Sequence, residues 1–181
     1  MSYCSYAQCL GKDRDRLHNR CTLQSPTGET FTPQASQITP ALYISDLWTA
    51  THIPTLTSLG ITHRLSIQLE SIEPPPNSFA LKTKCIPLQD KSEARLWMYM
   101  DSVVDWLSEA LTEGGTVLVH CIWGKSRSVA FVVAFLMRTQ GMTVDQALAC
   151  IQEKRPIAKP NVGFMQQLRL YEKGMQRMSK P

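Results

Sequence analysis

The chemistry to look for is set by one cysteine and one arginine. In "VLVHCIWGKSRSVAFVVAFLM", Val117 to Met137, Cys121 follows His120 and is separated by five residues from Arg127, which Ser128 follows. A segment of this length can curl into a cup. The backbone N–H groups of Ile122, Trp123, Gly124, Lys125 and Ser126 would converge in it, and the N-terminus of a following helix would add partial positive charge. Such a cup suits a tetrahedral oxyanion, phosphate above all. Arg127 can close it with a bidentate guanidinium grip. The same positive field favours the thiolate of Cys121, which is the nucleophilic form. Gly124 lets the backbone turn sharply or approach a ligand closely. Ser128 can donate a hydrogen bond to the sulfur and ease its later departure. His120 is expected to hold the loop through backbone carbonyls rather than to act as a base.

The cup requires a rigid frame on both sides. "TVLV" before it is a fully apolar stretch, expected as a buried parallel strand. Ser128 to Thr139 is apolar almost all round, as in a helix at the centre of a fold. Upstream, "ALYIS", "THRLSIQL" and "FALKTKCIPL" predict strands, and "IPTLTSLG" predicts a short helix with Pro54 early and Gly60 just past its end. The three prolines of "ESIEPPPNS" exclude helix and ladder, so that stretch is a loop. Leu96, Met100, Val103, Val104, Leu107 and Leu111 lie on one face of a helix that Gly114-Gly115 ends. Thr143 with Gln146 forms a capping box for the next helix, which Arg155-Pro156 stops. Asn161 can cap a last helix with Phe164, Leu168, Tyr171 and Met175 along one stripe. Strands alternating with helices predict a single α/β domain. Its central, largely parallel sheet is flanked by helices, with the phosphate-binding loop between a buried strand and a central helix. Ligands bind at the carboxyl end of such sheets.

The 181 residues suit one sizeable core, and 43% hydrophobic with 19% charged residues is ordinary for a globular chain. Residues 1–35 are polar and aperiodic and are expected to be an extension, with the catalytic domain over 36–178. The net charge of +4 favours an anionic ligand, and the absence of a Lys/Arg block argues against nucleic acid. No run is long enough to span a bilayer. "MSYCSYAQCLGKDRDR" holds no apolar signal core, and residue 2 is Ser, so neither secretion nor myristoylation is expected. The six cysteines show no Cys-x-x-Cys spacing, and His18, His52 and His63 show no ligand spacing. Reduced thiols and a cytoplasmic or nuclear location follow as expectations. The oligomeric state is not legible.

"HCIWGKSRS" resembles the signature of cysteine-based protein tyrosine phosphatases, and its Ser-Arg-Ser ending is similar to the dual-specificity branch. "ITPALYIS", "LGITHRLSI", "IPLQD" and "RPIAKPNVGFMQQLRLYE" extend the resemblance to about residues 36–173, and the last is similar to the end of small, atypical members. The resemblance implies hydrolysis of phosphotyrosine and phosphoserine/threonine in proteins through a phosphocysteine, without metal or cofactor. It also implies an upstream aspartate as general acid, and Asp90 occupies the matching position. Glu93 is the reserve. Asp101 and Asp105 are expected on a helix, facing solvent.

The chain departs from the family at Trp123, where a small residue is usual; the indole either points outward at the rim or packs beneath the loop. Lys125 resembles a basic residue of lipid phosphatases, which typically carry a second lysine where this chain has Ile122. A phosphoinositide or other non-protein phosphatase is therefore the alternative enzyme, and a phosphate-binding module without turnover the alternative from another class. Arg95 and Trp97 either contact substrate or belong to surface and core. Arg155 and Lys159 either widen a basic rim or are simply solvated. Asn161 is read as a supporting residue, most simply as a cap. Cys85 either forms a protective disulfide with Cys121 or is a small buried hydrophobe.

Overall fold

The computed structural model describes residues 32–69 and 81–178. The proline loop read over residues 70–78 lies outside them, as do Cys4, Cys9, Cys21 and His18. The chain divides between Pro33 and Gln34, and the second unit carries every element described below.

Five strands form one sheet in the order β1-β2-β5-β3-β4. They are β1 (Ser36–Thr39), β2 (Leu42–Ser45), β3 (His63–Ile67), β4 (Lys82–Ile86) and β5 (Val117–His120). All pairs are parallel except β1 with β2, an antiparallel hairpin at one edge. β5 lies between β2 and β3, and all four of its residues are buried, which accounts for the unbroken apolar "VLV".

The helices are α1 (Leu47–Thr51), α2 (Ile53–Ser58), α3 (Trp97–Thr112), α4 (Arg127–Gln140), α5 (Val144–Lys154) and α6 (Val162–Met178). The central one is α4, in which every residue from Val129 to Met137 is buried. At about 1.5–3 kcal/mol per large side chain removed from water, this helix is a principal source of stability. Gly141 ends it in the left-handed conformation, with φ 66°. The Thr143–Gln146 capping box is present at the start of α5. A second buried cluster, Ala50, Leu56, Ile61 and Leu118, lies on the other face of the sheet.

Two elements go beyond the sequence expectation. β1 precedes the first strand that the sequence predicts, and no sequence pattern predicts α1. "SQIT" and "LWTAT" are too short to show a period. β1 depends on pairing with β2, and α1 on the Asp46 side chain, which accepts from the Thr49 N–H.

Candidate active site

β5 ends at His120, and the chain turns through residues 121–126 before α4 begins at Arg127. Four successive carbonyls of this turn are taken up by the surrounding protein. Ile122 O accepts from Leu47 N at 3.1 Å, and Lys125 O accepts from Lys159 N at 2.8 Å. Between them Trp123 O accepts from Arg155 Nη2 at 3.3 Å, and Gly124 O from Arg155 Nε at 2.6 Å. Every peptide bond described is trans. In a trans peptide the following N–H points opposite to the carbonyl. Carbonyls turned outward therefore turn the amides of residues 123–126 inward, towards one centre. Gly124 is required there. Its φ is +61°, and a Cβ would sit 2.6 Å from the Ser45 carbonyl carbon, closer still to its oxygen and to the Arg155 guanidinium.

Cys121 is buried at the start of this turn, and its sulfur lies 3.3 Å from the Ser128 hydroxyl. Arg127 is buried too, with Nη1 donating to Leu88 O at 3.3 Å. Its Nε makes no hydrogen bond and stands 3.7 Å from Asp90 Oδ2, close enough for an ion pair and too far for a hydrogen bond. Asp90 Oδ1 accepts two hydrogen bonds, from the Ser126 hydroxyl at 2.6 Å and from Asn161 Nδ2 at 2.8 Å. With Oδ1 accepting from two donors, Oδ2 is the oxygen left facing Arg127.

A buried thiol at the start of the turn, a buried guanidinium at its end and a carboxyl beside that guanidinium are groups suited to phosphoryl transfer. Residues 42–174 match the family described as dual specificity phosphatase, catalytic domain. The chain belongs to that family. It is 43% identical over 141 residues to dual specificity protein phosphatase 1 of Arabidopsis thaliana, covering 78% of this chain and 70% of the relative. It is 38% identical to dual specificity protein phosphatase 1B of the same plant, covering 78% and 83%. The crystal structure of human DUSP28 superposes with a TM-score of 0.74 at 27% identity, covering 81% of this chain and 97% of that one. The chain is a cysteine-based protein phosphatase acting on phosphorylated proteins, and a phosphocysteine intermediate is general to its family. No helix among the described residues is long and apolar enough to cross a membrane.

Several residues of the phosphatase stand differently from the sequence reading. His120 does more than meet the loop backbone. Its Nε2 pairs with the Ser66 hydroxyl on β3 at 2.7 Å, which ties β5 to the neighbouring strand. Its Nδ1 meets the Cys121 backbone without a well-formed hydrogen bond. Burial first, then the positive charge of Arg64, pushes its pKa down to about 3, so the ring is neutral. Arg155 is neither rim nor solvated. It is 7% exposed, and it anchors the turn by gripping two of its carbonyls. Trp123 points outward and is 48% exposed. Lys125, Lys159, Arg95 and Glu93 are exposed. Asp101 and Asp105 are exposed but not idle, since both pair with Arg138.

Cys85 is exposed on β4 and separated from β5 by β3. Two strand spacings, about 10 Å, exceed the roughly 7 Å that a disulfide can bridge, so this geometry does not join it to Cys121. Ser126 and Asn161, expected in the loop and at the cap, both also hold Asp90. The partner of Ser126 could not be read from sequence, because Asp90 is distant along the chain.

Proposed function

We propose that Cys121, Arg127, Asp90 and Ser128 carry out hydrolysis of phosphotyrosine and phosphoserine/threonine. The Cys121 thiolate attacks phosphorus, forming the S–P bond as the bond to the leaving oxygen breaks. Asp90 gives its proton to that oxygen. The inward amides of residues 123–126 and the Arg127 guanidinium hold the three equatorial oxygens, whose charge they stabilise in place of water. In the second step the Asp90 carboxylate takes a proton from water, the water oxygen attacks phosphorus, and the S–P bond breaks. Ser128 donates to the departing sulfur. His120 sets the end of β5, and Asn161 holds the acid.

The observation that carries this reading is the position of Asp90. Its Oδ1 is held by Ser126 and Asn161, which leaves Oδ2 facing Arg127. A module that only bound phosphate would have no use for an acid held there. The test is turnover of phosphotyrosine peptide, phosphothreonine peptide and phosphoinositide side by side. Both peptides should be hydrolysed, and Cys121→Ser should abolish this while leaving the melting temperature unchanged. Hydrolysis of the phosphoinositide alone would replace the protein reading with the lipid one.

A further inference from the structure

The segment from Asp90 to Trp97 is a short loop with no hydrogen-bonded ladder of its own, yet it must hold a carboxyl to within a fraction of an ångström. Its support comes from α6. Gln167 Nε2 donates to Ala94 O at 2.9 Å, and Gln167 Oε1 accepts from Trp97 N at 3.1 Å. One amide side chain thus satisfies both polar ends of the loop's last turn. One helical turn earlier, Gly163 lies flat against the loop's middle. A Cβ built there would sit 2.5 Å from the Ser92 carbonyl carbon and 2.6 Å from Ser92 Cα, and closer still to the carbonyl oxygen. Every one of those atoms is backbone, so no side-chain rotation could make room for it. Asn161, two residues before Gly163, reaches Asp90 itself.

We infer that Gly163 and Gln167 are positioning residues for the general acid. They seat the loop so that Asp90 faces the cup before any substrate arrives. No binding energy is then needed to close the loop, and the acid is preorganised. Both residues act through Asp90 and neither touches the reacting atoms. The inference rests on Asp90 being the acid.

The experiment compares leaving groups. An acid matters most when the leaving oxygen is strongly basic and least when it is a highly activated phenolate. Gly163→Ala should therefore lower kcat about 10- to 100-fold for phosphotyrosine peptide, within the range that general acid catalysis contributes. It should lower kcat less than threefold for an aryl phosphate with a very acidic phenol. Gln167→Met, which keeps the side-chain volume and removes both hydrogen bonds, should show the same pattern more weakly. Combined with Asp90→Asn, neither substitution should add further leaving-group-dependent loss, because the group they position is gone. Circular dichroism melting of each variant establishes that it is folded. If Gly163→Ala and Gln167→Met lower both substrates equally, or add in full to Asp90→Asn, they serve the fold alone and the inference is wrong. If Asp90→Asn itself shows no leaving-group dependence, the assignment of the acid has failed instead.

Discussion

Gly124 and Arg155 form the lock of the phosphate cup, and each serves because of the other. The guanidinium needs a bare Cα to reach two successive carbonyls, and the carbonyls need the guanidinium to stay turned outward. Gly124→Ala puts a methyl where the Ser45 carbonyl and Arg155 already lie, at a φ that L side chains rarely adopt. Its kcat/KM on an aryl phosphate should fall about 10²-fold or more, the usual loss for one misplaced oxyanion donor. Arg155→Lys keeps the charge and loses the planar fork. It should lower kcat on a small aryl phosphate with an uncharged ring about tenfold or more. An arginine serving only as a basic rim would instead raise KM for charged peptides and leave that kcat alone.

At the scale of elements, the start of α6 does two jobs that one substitution can separate. Asn161 Oδ1 accepts from Phe164 N and caps the helix, while Nδ2 donates to Asp90. Aspartate is as good a cap as asparagine but has no donor to offer. Asn161→Asp should keep the cap, lose a few degrees of melting temperature at neutral pH to the repulsion of two carboxylates, and cut phosphotyrosine turnover about tenfold or more. Unchanged stability with normal turnover would leave Asn161 as a cap alone. A converse control lies at α5. Thr143→Ala removes the capping-box acceptor and should cost about 1 kcal/mol, seen as a few degrees of melting temperature with kcat unchanged.

The whole molecule should be sensitive to acid through the histidine at its centre. His120 is fully buried and neutral, with its pKa pushed from 6.5 to about 3 by burial and by Arg64 and Arg127, against a smaller opposing effect of the Cys121 backbone. Its hydrogen-bond partner, Ser66, carries no charge. Below pH 6.5 the unfolded chain takes up a proton that the folded chain refuses. Stability is therefore full above that pH and declines on acidification, by up to about 1.4 kcal/mol per pH unit. His63 is lowered as well, by burial first and then by Lys82, and adds to the same slope. Urea midpoints measured between pH 7.5 and 5, above the range where carboxylates titrate, should fall steadily, and His120→Gln should flatten the decline. An unchanged slope in that variant would place the acid sensitivity elsewhere. The family mechanism needs no ion, so turnover should survive excess chelator and be blocked by vanadate, which mimics five-coordinate phosphorus. Loss on chelation, restored by a divalent ion, would overturn that mechanism.

Patterns that depend on neighbours along the chain are legible without the fold. The apolar run of β5, the all-round apolar α4 and the Cys121–Arg127 spacing lie within one continuous stretch, so strand, cup and central helix were legible together. The cap at Thr143 and the stripe on α6 are local patterns of the same kind. Tertiary structure decided everything that joins distant segments. Nothing near Arg155 in the chain says that it will be buried against Trp123 and Gly124. Nor does the sequence show that Ser66 will meet His120, or that Gly163 must be bare because Ser92 rests on it. β1 carries no local signature, because an edge strand of four residues is stabilised by its partner, not by its own pattern. The nucleophile could be read from spacing because its cup is built from consecutive amides. The devices that hold the acid in place could not, because they are contacts between residues far apart in sequence, and only the folded chain brings them within reach.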